Sequence, residues 1–101
     1  MSDAGPVIEF LTFRVPVAER TEWLEVEEHH WSRYLERQPG FVRKEMWAAA
    51  DDPDSIHAVI WWESLELWQA VPADELATVE AAMGVHERTP TCRTFELVRR
   101  S

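Results

Sequence analysis

The chain has 101 residues, enough for one domain, and its 10 Lys and Arg against 19 Asp and Glu give a net charge of −9. That balance argues against nucleic acid or an anionic membrane surface as a partner, since either needs a basic patch. A hydrophobic fraction of 46% with six Trp and four Phe excludes a disordered chain. The single Cys excludes an internal disulfide framework and fits a reducing compartment. No apolar run approaches the roughly 20 residues of a membrane span. The N-terminal MSDAGP has neither the positive region nor the apolar stretch of a signal peptide, so a soluble, cytoplasmic protein is expected.

Residues 1–6 read as a short polar lead, and 7–101 as one domain. VIEFLTFRV (7–15) is rich in β-branched and aromatic residues and predicts a first strand, stopped by Pro16. A helical pattern runs to about Gln38 and ends at Pro39-Gly40. FVRKEMWAAA (41–50) and IHAVIWWE (56–63) predict a hairpin around the turn DDPDS (51–55). Ser64 is placed to cap a short helix through about Ala70, with Glu66 near its positive end. Pro72 breaks it, a second helical piece spans 73–83, and Gly84 ends that piece. CRTFELV (92–98) is the last strand. The order β-α-β-β-α-β predicts an α+β, ferredoxin-like split βαβ fold, with a four-stranded antiparallel sheet covered by helices on one face.

A sheet with one wet face alternates apolar and polar residues cleanly, and these strands do not. Ile56, Ala58, Ile60 and Trp62 share one face of the third strand, and His57, Val59, Trp61 and Glu63 the other. Leu11, Phe13 and Val15 alternate with Ile8 and Phe10. In the second strand the alternation sets Phe41 and Trp47 against Val42 and Met46. Two helical segments cover one face only. Each aromatic ring left on the other exposes about 150–250 Å², and two or three such rings exceed the apolar patch normal on a monomer. The expected partner for that face is a second copy of the chain.

On a wheel at about 100° per residue, Trp23, Leu24, Val26, Trp31, Tyr34 and Leu35 form one arc, with Glu27 near its middle and His30 beside it. Glu27 and His30, three residues apart, are placed to meet. A carboxylate and an imidazole on a core-facing stripe suggest a pocket in which Glu27 orients His30 for acid–base work. Tyr34 and Arg14 are further candidates to hold substrate oxygens, with Trp62 and Trp31 as pocket walls. The competing reading is a satisfied core network, in which Glu27 and His30 pair with each other or with a sheet Arg such as Arg14 or Arg43. Glu27-x-x-His30 also has di-iron spacing, but such sites need a second copy of the motif, so no metal is expected. Cys92 reads as a small buried hydrophobe.

Gln38-Pro39-Gly40-Phe41 with Glu45, the turn Asp51-Asp52-Pro53-Asp54, Trp62-Glu63-Ser64 and Trp68 resemble the dimeric α/β barrel superfamily, close to its antibiotic-biosynthesis-monooxygenase-like group, over about residues 7–98. Trp31, Trp47 and the Trp61/Trp62…Trp68 segment are similar to a small family of uncharacterised bacterial proteins. The resemblance implies a homodimer joined through the sheet face. It also implies cofactor-independent oxygenation of a small aromatic or polyketide-like molecule, with haem and flavin left open, or a non-catalytic domain holding a hydrophobic ligand or serving only structure. Trp62 matches the strand Trp of haem-degrading members. Those enzymes also use an Asn in the first strand and a His in the second helical region, whereas this chain has no Asn and 64–83 has no His.

Overall fold

A computed structural model describes residues 5–100. Four residues of the polar lead and the C-terminal Ser101 lie outside the described residues. β1 (Val7–Arg14) leads through a 3₁₀ turn into α1 (Arg20–Glu27), a π-helical turn (Glu28–Ser32) and α2 (Arg33–Leu35), which run on as one helix. β2 (Phe41–Ala49) and β3 (Asp52–Trp62) form the hairpin. α3 (Leu65–Gln69), α4 (Ala73–Ala82) and β4 (Thr91–Glu96) complete the chain. The sheet order is β2-β3-β1-β4 with every neighbour antiparallel, the expected α+β ferredoxin-like arrangement. No helix among the described residues is long and apolar enough to cross a membrane.

The caps follow local chemistry. Ser64 Oγ accepts from the Leu67 backbone N–H at 3.2 Å and starts α3. Pro72 precedes α4, where its missing N–H costs nothing. Gly84 takes φ +58° just after the helix, as a left-handed terminator should.

The core lies between helices and sheet. Val7, Phe13, Ile56, Ala58, Ile60 and Trp62 are buried on the helix-facing side, against Trp23, Leu35 and Met83. Phe13 and Trp23 stack at 4.9 Å between ring centres, and Trp23 donates from Nε1 to the His86 carbonyl at 2.8 Å.

Three expectations are corrected. The hairpin turn is shorter than 51–55, because β3 already begins at Asp52. Pro53 is tolerated there because it precedes the ladder with β1, whose last pair is Arg14 with Ser55. In β2, Phe41 and Trp47 do not share a face. A bulge between Phe41 and Arg43 inserts one residue and reverses the alternation beyond it. Phe41 therefore meets Trp62 edge-on at 6.0 Å, while Trp47 meets Trp61 at 6.3 Å on the opposite side. Cys92 is exposed rather than buried, because it lies on β4, an edge strand of the sheet all six of whose residues are exposed.

The sheet face away from the helices is aromatic. Phe10 contacts His57 (4.9 Å), Phe95 (5.9 Å) and Trp47 (6.3 Å). The guanidinium of Arg43 sits 3.9 Å above Trp61. Trp47 keeps 45% of its surface and Phe95 38%.

Gly40 fixes the entry to β2. Its φ is +88°, and a Cβ there would stand 2.6 Å from Leu67 Cβ. Gly40→Ala combines left-handed strain with a collision against α3 and is expected to cost at least about 2 kcal/mol. Thermal denaturation should show a fall in Tm of roughly 8 °C or more.

Candidate active site between the helices and the sheet

A cavity of about 370 Å³ lies between the helical layer and the sheet. Trp23, Trp31, Trp62 and Trp68 are among its walls, α4 closes one side through Leu76 and Ala77, and three charged groups enter it from the core: Glu9, Glu27 and Lys44.

The helix presents its column through the π turn. Trp23, Glu27, Trp31 and Leu35, spaced by four, all line the cavity. In a regular α-helix each such step drifts by about 40°, so the column would walk off the face. The wider turn at Glu28–Ser32 removes that drift and brings Trp31 back under Glu27.

Glu27 is 2% exposed. Its Oε2 accepts from Lys44 Nζ at 2.6 Å, and the same ammonium donates to Ser32 Oγ at 2.6 Å. Both side chains of the pair are almost wholly buried. Burial pushes the Glu27 carboxyl above the ordinary carboxylate value, and Lys44 pulls it part of the way back. Lys44 reaches the helix-facing side because of the β2 bulge, which places it opposite Ile60.

Glu9 stands on the helix-facing side of β1, between Val7 and Leu11. Its Oε1 accepts from Trp62 Nε1 at 3.2 Å. Desolvation raises its pKa, against hydrogen bonds from Trp62 and Trp68 and the charge of Lys44. Glu9 is less deeply buried than Glu27, and it has no ion pair of its own among the described residues.

Of the six residues singled out by sequence, the structure brings three to the cavity: Glu27, Trp31 and Trp62. His30, Tyr34 and Arg14 do not line it. The Glu27–His30 pair does not form, because Glu27 turns to Lys44 while the His30 ring lies 5.0 Å from that of His29. Tyr34 donates to Glu75 Oε1 at 2.7 Å and so ties α2 to α4. Desolvation, then Glu75, push its phenol up to about 12, which keeps it neutral. Arg14, at the end of β1, pairs with Asp52 at 2.6 Å in an exposed position. The alternative core network is present, but its cation is Lys44 and not Arg14 or Arg43.

Glu9 and Lys44 are the functional candidates that sequence reasoning missed. The signal for Glu9 was strand parity: it is the one charged residue in the set 7, 9, 11, 13, 15. Lys44 carried no such signal, since a bulge is needed to turn it inward. Among the described residues no group of three or more His, Cys, Asp or Glu is gathered as for a metal ion.

No protein-family model matches the chain, and no curated protein matches it. Solved structures do match, and they are antibiotic-biosynthesis-monooxygenase-like proteins. A protein assigned as an antibiotic biosynthesis monooxygenase from Caulobacter crescentus has 16% identity and a TM-score of 0.73, over 95% of this chain and 92% of that one. SnoaB of Streptomyces nogalater, a cofactor-independent oxygenase, has 22% identity and a TM-score of 0.71, over 97% of each chain. The haem degrader MhuD of Mycobacterium tuberculosis, solved with two haems in its active site, has 27% identity and a TM-score of 0.68, over 94% and 98%. The fold is therefore that of this group.

Two outcomes are expected. Glu27→Gln strands a buried ammonium and should destabilise the protein by about 3–5 kcal/mol in denaturant unfolding, whereas Glu27→Leu with Lys44→Met together should be near neutral. The carboxyl of Glu9 is raised in the folded state, so that state holds its proton more tightly than the unfolded chain does. Its contribution to stability is thus largest below the ordinary value of 4.5 and is lost as pH rises through the raised value. Glu9→Gln should flatten this decline in Tm measured between about pH 4 and 7.

Proposed function

We propose that this chain is a homodimeric, cytoplasmic, monooxygenase-like enzyme that works without a cofactor on a small aromatic or polyketide-like substrate. The observation that carries the reading is the cavity itself. Its volume of about 370 Å³ suits a ligand of two or three fused rings, and it joins indole walls to a few buried polar groups. Its likeness in fold to SnoaB, a cofactor-independent oxygenase, supports the same class of chemistry.

The cavity residues do not fit haem. No His, Cys or Tyr among the described residues lines the cavity to serve as an axial ligand, and Met83, which does line it, is packed in the core at 3% exposure. Both lining cations are already paired, Lys44 with Glu27 and Arg88 with Glu19. Glu9 and Glu27 would repel the propionates. The same shortage of available cations disfavours the phosphate of a flavin.

His30 and Tyr34 take supporting parts in this reading. Tyr34 holds α4 over the cavity, and His30 lies within the π turn. Arg14 is assigned to the hairpin end rather than to substrate.

The dimer follows from the uncovered sheet face, where Phe10, His57, Trp47, Trp61 and Phe95 form a continuous aromatic layer. β4, exposed along its length, continues that face at the sheet edge. A second copy packed on this layer would bury rings that otherwise remain wet.

Two measurements test the reading. Anthrone with dioxygen should give anthraquinone and water in equal amounts, R₂CH₂ + O₂ → R₂C=O + H₂O, at about 10³-fold or more above the buffer rate. Absence of turnover across anthrones and naphthols leaves only a ligand-binding domain. Native mass spectrometry at micromolar concentration should show a dimer, and Trp47→Glu with Phe10→Glu should give a folded monomer.

A further inference from the structure

We propose that Glu9 is the group that selects and activates the ligand: the cavity takes a hydroxylated aromatic ring whose O–H is directed at the Glu9 carboxylate, and Glu9 accepts that proton. The inference rests on the oxygenase reading for the later steps, but the proton transfer stands on the cavity alone.

Three observations lead to it. Glu9 and Glu27 are both carboxylates in one apolar chamber, yet their situations differ. Glu27 is 2% exposed and locked by Lys44 at 2.6 Å. Glu9 is less buried, and its protein partners are neutral indole donors, one of them Trp62 Nε1 at 3.2 Å. A carboxylate is an acceptor only, so the ligand group that completes its hydrogen bonding must be a donor. The walls around it are indole, which favours a flat aromatic body. A donor on an aromatic ring is a phenolic hydroxyl or its equivalent.

Lys44, though paired with Glu27, still exerts its charge on the Glu9 side of the cavity. It lines the same cavity and has three N–H groups, two of them committed to Glu27 and Ser32. When the phenolic O–H bond breaks, a new O–H bond forms on Glu9, and the electron pair stays on the phenolate oxygen. The site's net charge is unchanged, because the negative charge has moved from Glu9 to the ring. The indole N–H groups that served the carboxylate and the ammonium of Lys44 then face an aryl oxide in a water-poor chamber. Under the oxygenase reading that electron-rich ring is the species that dioxygen oxidises, and the proton on Glu9 returns in the water formed.

Charged groups act on Glu9 from every side. Lys44 on β2 lowers its pKa, and the Lys44-bound Glu27 lines the same cavity, as do Glu80, Glu87 and Arg88. On β4, desolvation and then the charge of Glu9 raise the Cys92 thiol, which stays neutral. Desolvation outweighs the lowering influences and places Glu9 above an ordinary carboxylate, nearer to the pKa of a useful base.

The test uses the whole protein and two probes. The first is 4-nitrophenol, at a pH where it is neutral in solution. Bound to the wild type it should show the red-shifted anion band; bound to Glu9→Gln it should keep the neutral spectrum, and Glu9→Asp should restore part of the shift. Tryptophan quenching by 4-nitroanisole, which has no hydroxyl, should be the same in all three proteins and shows that the cavity is intact. The second probe is anthrone with dioxygen. The Glu9→Gln rate should fall about 10²–10⁴-fold and lose its acid limb in the pH profile. A neutral spectrum on the wild type, or the same spectrum on Glu9→Gln, overturns the inference. So does an unchanged rate and pH profile in Glu9→Gln, which would leave the oxygenase reading standing. A Glu9-dependent anion band with no oxygen consumption overturns the oxygenase reading and leaves the assignment of Glu9 standing.

Discussion

The ion pair between Lys44 and Glu27 sets the spacing of the two layers. A buried carboxylate alone would be intolerable on the core face of the helix, and a buried ammonium equally so on the sheet. Each is kept because the other is 2.6 Å away, with Ser32 taking a second ammonium proton. For the pair to meet, the β2 bulge must turn Lys44 inward and the π turn must hold Ser32 and Trp31 beneath Glu27. Two local irregularities thus serve one electrostatic contact. Such devices weaken regular hydrogen bonding, and they persist where something else depends on them.

The cavity depends on that contact. With Lys44 engaged by the helix, the chamber beside it keeps a carboxylate with no cation of its own, and Glu9 is held among indoles. The site therefore sets a carboxylate held by an ion pair beside one that accepts from neutral indole N–H groups. This asymmetry distinguishes the two carboxylates: Glu27 is engaged by an ammonium and Glu9 by neutral indole donors. The charges in this chamber, Glu9, Glu27 and Lys44, come from β1, α1 and β2.

The opposite sheet face follows a different rule. Its residues make aromatic contacts with one another, and Val59 is only 1% exposed beneath them. The rings above it remain open to water in the single chain. Aromatic clustering on a bare sheet lowers the exposed area without removing it, which is why a covering surface is the natural completion.

Strand order, helix count and the buried side of β3 were legible from sequence, because alternation and turn residues act locally. Ser64, Gly40 and Gly84 announced their turns for the same reason. The cavity was half legible: Glu27, Trp31 and Trp62 were found from burial logic, since a charge on an apolar stripe or a strand Trp on the helix side stands out. Glu9 was within reach of the same parity argument. His30 and Tyr34 fall outside the cavity because a wheel of constant pitch cannot foresee a π turn, and pairing by spacing cannot foresee a competing ammonium from another element; Arg14, on β1, has the strand parity of the opposite face and pairs with Asp52. The sequence by itself determined the layers and which faces are apolar, since these follow from period and composition. Only the tertiary structure decided which charges meet, because Lys44 and Glu9 come to the site across strands, through a bulge whose position is set by packing and not by any local preference of the residues that form it.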